Sequence, residues 1–203
     1  MIDQIISLIK KSVSGYELPL AESQANPFQV LVATMLSART KDETTAKVCK
    51  GLFKRVKQPS DFSKLSISEI ESLIRPVNYY KTKAQRLKEL SSLKNVPETI
   101  KELTSIKGVG RKTANIVLNV SFNKPAIAVD THVHRIMNRL NYVKTKTPKE
   151  TELALREKLP KKHWNEINHI LVLFGQHTCT PISPHCSQCP IKNCPRTSVT
   201  RSR

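Results

Sequence analysis

The chain has 203 residues, 38% of them hydrophobic, which is enough to bury one substantial core or two small cores that share an interface. Lysine and arginine total 34 against 16 aspartate and glutamate residues, and the net charge of +18 favours a polyanionic partner, with nucleic acid as first candidate. No run of about eighteen apolar residues and no signal-peptide pattern is present, so we expect an intracellular protein that does not enter a membrane.

The first predicted element is an amphipathic helix at residues 1–13. Its apolar side chains recur at helical spacing; they are Ile2, Ile5, Ile6, Ile9 and Val13. Such a stripe is typical of a helix packed on a protein core, and the charged Asp3, Lys10 and Lys11 argue against a membrane anchor.

Helix signals continue along the chain. Ser66 with Glu69 and Thr147 with Glu150 have the spacing of capping boxes. Helical periodicity also covers residues 28–36, 67–74, 114–120, 133–140 and 164–174, whereas strict alternation is almost absent. The short apolar run at residues 126–129 predicts an extended connector, so the sequence predicts an all-α fold.

Two of the five glycines, Gly108 and Gly110, fall between two helical stretches. Because glycine allows positive φ and close approach of another backbone, this spacing predicts a tight turn between two helices. Amides at the start of the second helix would then point outward and suit a DNA phosphate oxygen. A plain helix end followed by a turn explains the same glycines equally well.

Lys112 is predicted to lie in the first turn of the second helix. The positive end of the helix dipole and the adjacent Arg111 both disfavour an ammonium charge there, and an uncharged amine is what nucleophilic chemistry requires. A phosphate contact is the commoner role for a lysine in such a place, so on the residues alone both roles stay open.

Asp130 follows the apolar run at residues 126–129 and precedes a helical pattern, which predicts that it caps that helix. A capping carboxylate accepts amide hydrogen bonds that keep it ionised, so it can also stabilise positive charge at a reaction centre. The neighbouring histidines are interpreted as packing or phosphate contacts.

With these residues, the sequence resembles the endonuclease III family of DNA glycosylases in the helix-hairpin-helix superfamily. The likeness is carried by KGVGRKTAN at residues 107–115 and AVDTH at residues 128–132. Further motifs keep the family order over roughly residues 20–195; they are Pro27-Phe28, Leu36-Ser37-Ala38, Lys83-Ala84 and four cysteines.

The resemblance implies two α-helical lobes with DNA in the cleft between them. Residues 21–125 would form a six-helix barrel with the helix-hairpin-helix, and residues 1–20 plus 126–203 an iron-sulfur cluster lobe. It implies a bifunctional DNA glycosylase and AP lyase of base excision repair that removes oxidised pyrimidines through a lysine Schiff base. Cleavage on the 3′ side of the abasic site would follow by β-elimination.

Residue roles follow from the same resemblance. Lys112 matches the family's nucleophile and Asp130 its catalytic carboxylate. The hairpin residues expected to contact DNA are Gly108, Val109, Gly110 and Arg111. Arg39 stands where the family usually has a gap-filling glutamine, and Tyr79 where it commonly has an apolar wedge. Both can fill the space left by an extruded base, by stacking and hydrogen bonding.

Four cysteines, Cys179, Cys186, Cys189 and Cys194, lie within sixteen residues near the C-terminus. In a reducing compartment this density favours metal over disulfides, although the spacing does not separate zinc from an iron-sulfur cluster. The resemblance favours a [4Fe-4S] cluster. The basic end, residues 197–203, is expected to be a frayed tail.

The expected partner is double-stranded DNA with a damaged pyrimidine or an abasic site, bound by a monomer. Two alternatives remain. One is a related glycosylase for mismatched or other damaged bases, and the other is a noncatalytic cluster-bearing module that uses the hairpin only to bind DNA.

Overall fold

The computed structural model describes residues 2–16 and 26–203, and all regular structure in these ranges is helical. The ten α-helices are α1 (Ile2–Val13), α2 (Pro27–Ser37), α3 (Asp42–Arg55), α4 (Ile67–Ile74), α5 (Tyr80–Glu89), α6 (Ile100–Ser105), α7 (Arg111–Phe122), α8 (Thr131–Arg139), α9 (Pro148–Lys158) and α10 (Ile167–His177). Short 3₁₀ turns lie at Pro59–Lys64, Leu90–Ser92 and Lys161–His163. The all-α prediction is confirmed, and none of these helices is long and apolar enough to cross a lipid bilayer.

The chain divides into two compact units. We call Leu18–Lys124 the hairpin unit, because it holds α2 to α7 and the glycine turn. We call Met1–Glu17 with Pro125–Arg203 the cysteine unit, because it holds the four clustered cysteines. The domain boundaries stated above, and the roles of barrel and cluster lobe, stay predictions.

The hairpin unit is built around α2, a helix with eight of its eleven residues buried. A helix that is apolar on nearly every side must be covered by others, and α2 packs against α7 and α3. Phe28 of α2 meets Phe62 edge to face, with ring centroids 5.9 Å apart. Cys49 of α3 is also buried here, and burial raises the pKa of its thiol to about 12.

In the cysteine unit, α1 packs its apolar stripe on a core shared with α8, α9 and α10. Ile6 and Ile9 are almost completely buried in this core, as the spacing of the stripe predicted. Polar contacts fix the same helix from outside: Nε2 of His163 lies 2.6 Å from Oδ1 of Asp3, and Lys10 pairs with Glu166 at 2.7 Å.

The predicted caps explain where several helices begin. Ser66 and Glu69 form the reciprocal capping box of α4. At α9 only half of the box forms, because Thr147 accepts the amide of Glu150 while the Glu150 carboxylate accepts the amide of Lys146 at 2.9 Å. Residues 126–129 are buried and belong to no helix or strand, in agreement with a connector.

Candidate active site

The glycine turn joins α6 to α7, as predicted. Gly108 has φ +87°, whereas Gly110 has φ −89° and caps α7. Of the two glycines, only Gly108 uses the positive φ that glycine permits. Val109 is buried between them, and its amide donates to the Ile106 carbonyl at 3.0 Å. The buried valine anchors the turn from beneath.

Helix α5 supports this turn from the side. A Cβ added to Gly108 would lie 2.5 Å from Cδ of Arg86, so the side chain of Arg86 crosses the turn at this glycine. Lys107 pairs with Glu89 of the same helix at 3.1 Å. The close approach that glycine permits is therefore made by a side chain of α5.

Lys112 is the second residue of α7 and is exposed, next to Arg111 at the first position. The first backbone hydrogen bond of the helix runs from the Ala114 amide to the Gly110 carbonyl. The amides of residues 111–113 therefore precede the intrahelical ladder, which makes this helix start a site of positive potential.

Asp130 caps α8 in the cysteine unit. Its Oδ1 accepts the amides of His132 at 2.8 Å and Val133 at 2.9 Å, which confirms the predicted cap. The buried side chain of Asn168 donates to the Ala128 carbonyl at 2.9 Å. The connector that leads into Asp130 is therefore held from α10.

His132 packs closely on α10. A Cβ on Gly175 would overlap the His132 ring, and Nη2 of Arg135 lies 3.2 Å from Nδ1 of that ring. The same Arg135 nitrogen donates to the carbonyls of Gly175 at 3.1 Å and Cys179 at 2.8 Å. For His132 the structure supports the packing interpretation.

Arg39 and Tyr79 lie side by side in the hairpin unit. Nη1 of Arg39 is 3.4 Å from the Tyr79 hydroxyl, and the guanidinium carbon is 6.0 Å from the ring centroid. Both residues have positive φ, 58° and 59°, and Tyr79 is 62% exposed. The sequence proposed each residue separately, and the structure brings them together.

All four clustered cysteines are free thiols that line one cavity of the cysteine unit. Burial raises the pKa of Cys189 and Cys194, and the charges of the neighbouring cysteines raise it further. Within residues 2–16 and 26–203, no three His, Cys, Asp or Glu side chains form a group that could hold a metal ion. The soft donor set nevertheless matches the thiolate ligands of an iron-sulfur cluster.

Arg139 holds the first part of the cysteine segment. It is buried, and its guanidinium donates to the carbonyls of Thr180 at 2.7 Å and Pro181 at 2.8 Å. Its Nη1 lies 3.3 Å from Sγ of Cys179. Positive charge is thus placed at one of the candidate metal ligands.

The C-terminal residues return to the same segment. The Arg203 amide donates to the Pro184 carbonyl at 2.9 Å, and its own carbonyl accepts the Ser187 amide at 3.1 Å. The Thr197 amide donates to the Arg139 carbonyl at 3.2 Å. The expected frayed tail is therefore wrong, because backbone hydrogen bonds hold Thr197, Val199 and Arg203 in place.

Several side chains that hold these sites together were not predicted to do so. The sequence feature that could have identified such a residue is a charged side chain on the apolar face of a predicted helix. Lys83 is an example, because it lies four residues before Leu87 on the buried face of α5. A charge in such a place requires polar partners, which only the fold identifies. The missed residues are Asn78, Lys83, Arg86, Arg135, Arg139 and Asn168.

Comparisons with known proteins identify the family of this chain. The model of the HhH-GPD superfamily of base excision DNA repair proteins matches residues 32–161, so the chain belongs to that superfamily. Endonuclease III of Thermotoga maritima is 44% identical over 199 residues, which cover 95% of this chain and 91% of the relative. Within the superfamily, the chain therefore belongs to the endonuclease III family.

Solved structures show the same fold. A trapped endonuclease III–DNA covalent intermediate is 35% identical, has a TM-score of 0.85 and covers 93% of this chain and 91% of its own. A thermostable thymine-DNA glycosylase is 25% identical, has a TM-score of 0.82 and covers 95% of this chain and 94% of its own. The resemblance to the endonuclease III family is confirmed.

Proposed function

We propose that this protein is a bifunctional DNA glycosylase and AP lyase of base excision repair, with Lys112 as its nucleophile. The observation that carries the proposal is the position of this lysine, exposed at the second residue of α7 directly after the glycine turn. Membership of the endonuclease III family supports it, as does the likeness to a covalently trapped DNA complex.

In the proposed reaction, the uncharged ε-amine of Lys112 forms a bond to C1′ of the damaged nucleotide. The C1′–N bond breaks, and the base leaves with the bonding electrons. Opening of the sugar ring then gives a Schiff base, which acidifies the C2′ proton. Loss of that proton breaks the C3′–O bond and cuts the strand on the 3′ side, and hydrolysis of the Schiff base restores the lysine.

Asp130 is proposed as the catalytic carboxylate. Two amide hydrogen bonds to its Oδ1 hold the carboxylate at the start of α8. A carboxylate there would stabilise positive charge on the sugar, or it would accept a proton from the lysine. Arg135 adds a positive charge on the first turns of α8 and fixes the direction of that helix through its carbonyl contacts.

DNA binding is assigned to the hairpin residues Gly108, Val109, Gly110 and Arg111. The amides at the start of α7 would donate hydrogen bonds to a phosphate oxygen, which the positive end of the helix dipole also attracts. After the damaged nucleotide leaves the stack, Arg39 and Tyr79 would occupy the gap as one pair. The site of DNA in a cleft between two lobes, and the monomeric state, stay predictions.

The four cysteines are proposed to hold a [4Fe-4S] cluster. All of them line one cavity and none is in a disulfide. When bound, the cluster would supply four iron–sulfur bonds that crosslink residues 179–194. Purified protein should contain four iron atoms per chain, and zinc without visible absorption would contradict this assignment.

The test of the function uses duplexes that carry thymine glycol or an abasic site. Wild-type protein should cut both and form a covalent adduct under borohydride. Lys112→Gln should lose the adduct while its affinity for the abasic duplex changes by less than about tenfold, or about 1.4 kcal/mol. Lys101→Gln, on the other helix of the hairpin, removes the same charge and should keep the adduct; an adduct with Lys112→Gln would refute the role.

The related glycosylase for mismatched bases remains the second candidate, supported by the likeness to a thymine-DNA glycosylase. A panel of duplexes with oxidised pyrimidines, thymine mismatches and oxidised guanine separates the two, since the preferred lesion is the one excised fastest in single-turnover conditions. Intact strands with every duplex, including the abasic one, would favour the noncatalytic module.

A further inference from the structure

Lys83 occupies an unusual place for a lysine. It lies on the buried side of α5 and is only 7% exposed. Among the described residues, no carboxylate forms an ion pair with its ammonium group. Its hydrogen-bond acceptors lie instead within residues 36–40, at the end of α2 and in the segment that leads to α3.

Three contacts join this ammonium group to the segment that carries Arg39. Its Nζ donates to the carbonyls of Leu36 at 2.7 Å and Ala38 at 2.8 Å. The hydroxyl of Thr40 is a third acceptor at 3.4 Å. The two carbonyls lie at the C-terminal end of α2, where the helix dipole stabilises a cation.

The backbone of Lys83 contacts Tyr79, the second of the two residues expected to fill the gap. Its amide donates to the Tyr79 carbonyl at 3.0 Å, which is the first hydrogen bond of α5. Asn78 adds a second bridge, because its side chain donates to the Arg39 carbonyl and its amide donates to Thr40 Oγ1 at 3.2 Å. The two segments are thus fixed to each other on both sides of the Arg39–Tyr79 contact.

This attachment is needed because both gap-filling residues have unfavourable backbones. Arg39 and Tyr79 have left-handed φ, which costs free energy in any residue with a Cβ. Such conformations persist only where the surroundings impose them. The donors that surround the Arg39 segment come from Lys83 and Asn78.

We propose that Lys83 is a positioning residue for recognition of the base opposite the lesion, through the conformation of Arg39 and Tyr79. The inference rests on the proposed function, because it assumes that this pair enters the gap in DNA. Lys83 touches neither the damaged nucleotide nor Lys112 in this account. Its expected influence is on which opposite base is accepted, with the lyase chemistry preserved.

The charge of Lys83 is consistent with this role. Burial, with a further contribution from the nearby Arg86 charge, lowers the pKa of Lys83 to about 8. At pH 7 the group is still mostly protonated and can use all three of its N–H donors. A neutral side chain of similar length would remove these donors and leave the carbonyls of Leu36 and Ala38 without them.

The chain offers a matched control on the same helix. Lys88, like Lys83, donates three hydrogen bonds. Its acceptors are the carbonyls of Phe62 at 2.9 Å, Ser63 at 3.0 Å and Leu65 at 2.6 Å. Its acceptors lie in another segment of the hairpin unit, away from residues 36–40. Lys83→Met and Lys88→Met therefore remove equivalent bonds from α5, and only the first affects the Arg39 segment.

Two measurements on the full, metal-loaded protein test the proposal. Limited digestion with trypsin reports the order of the segment, and cleavage after Arg39 should be at least fivefold faster in Lys83→Met than in Lys88→Met. Single-turnover excision of thymine glycol opposite each of the four bases reports recognition. The ratio between the best and worst opposite base should shrink at least threefold in Lys83→Met and stay near wild type in Lys88→Met.

The outcomes separate the two proposals. If wild-type protein excises no base and forms no adduct, the proposed function fails, while the trypsin result still decides whether Lys83 holds the segment. If both variants give the wild-type opposite-base ratio, or if both expose Arg39 equally, the positioning role of Lys83 is refuted. Borohydride trapping on an abasic duplex should stay within threefold of wild type in both variants.

Discussion

Arg39 and Tyr79 are separated by 40 positions in the sequence, yet Nη1 of Arg39 is 3.4 Å from the Tyr79 hydroxyl. The pair has a left-handed backbone at both members and lies between the end of α2 and the start of α5. A substitution at either residue should therefore change the conformation of the other. Gap filling in this protein is best treated as the property of a pair.

Tyr79→Ala should weaken binding to a duplex with an abasic site by about 1–3 kcal/mol, because one base–aromatic contact is lost. Tyr80→Ala is the matched change at the next position and should have a smaller effect. Fluorescence anisotropy at fixed salt measures both affinities. A larger loss for Tyr80→Ala would move the wedge assignment by one residue.

Gly108→Ala should destabilise the protein by about 1–3 kcal/mol, because its Cβ would collide with Arg86 and its φ is positive. At Gly110 nothing lies within 4 Å of an added Cβ and φ is negative, so Gly110→Ala should have little effect. Urea unfolding gives the two free energies. Adding Arg86→Ala to Gly108→Ala should recover part of the loss, and equal losses for both glycines would contradict this account of the turn.

Arg139→Met should reduce iron retention, because it removes the donors to Thr180 and Pro181 and the positive charge beside Cys179. A hydrogen bond from a charged donor contributes about 1.5–3 kcal/mol. The half-life of the visible absorption under an iron chelator measures the effect. Arg156→Met is the control, since Arg156 pairs with Glu152 and Trp164 elsewhere in the unit and should leave that half-life unchanged.

The lowered pKa of Lys83 predicts the sign of a pH effect on stability. The unfolded chain keeps the Lys83 proton up to its ordinary pKa of 10.5, whereas the folded chain loses it near 8. Between these values the unfolded state binds more protons, so this group makes folding more favourable as pH rises. The difference in free energy of unfolding between wild type and Lys83→Met should therefore be larger at pH 9.5 than at pH 7.5; a constant difference would contradict the shift.

The sequence was sufficient to predict elements whose signals are local. The cap at Asp130, the box at Ser66 and the connector without regular structure at residues 126–129 depend on neighbours within a few positions, and all are confirmed. The apolar stripe of α1 could be predicted equally well, because burial of one helix face requires apolar residues at helical spacing.

What the sequence did not reveal depends on contacts between distant segments. The acceptors of Lys83 lie 43 to 47 positions earlier in the chain, and those of Arg139 lie 41 and 42 positions later. Gly110 shows a related difficulty, because the spacing of two glycines in a turn is compatible with more than one backbone conformation. Its neighbour Gly108 takes the positive φ, and the helix cap leaves Gly110 in an extended conformation.

Because the thiol of Cys49 is buried, alkylation of the folded protein reports only on the other four cysteines. Since a thiolate is the reactive form, a thiol with a pKa near 12 and 2% exposure stays silent toward iodoacetamide while the protein is folded. Any label taken up by native protein therefore comes from residues 179–194. Mass spectrometry of intact labelled chains would show how many of those sulfurs are unprotected in each preparation.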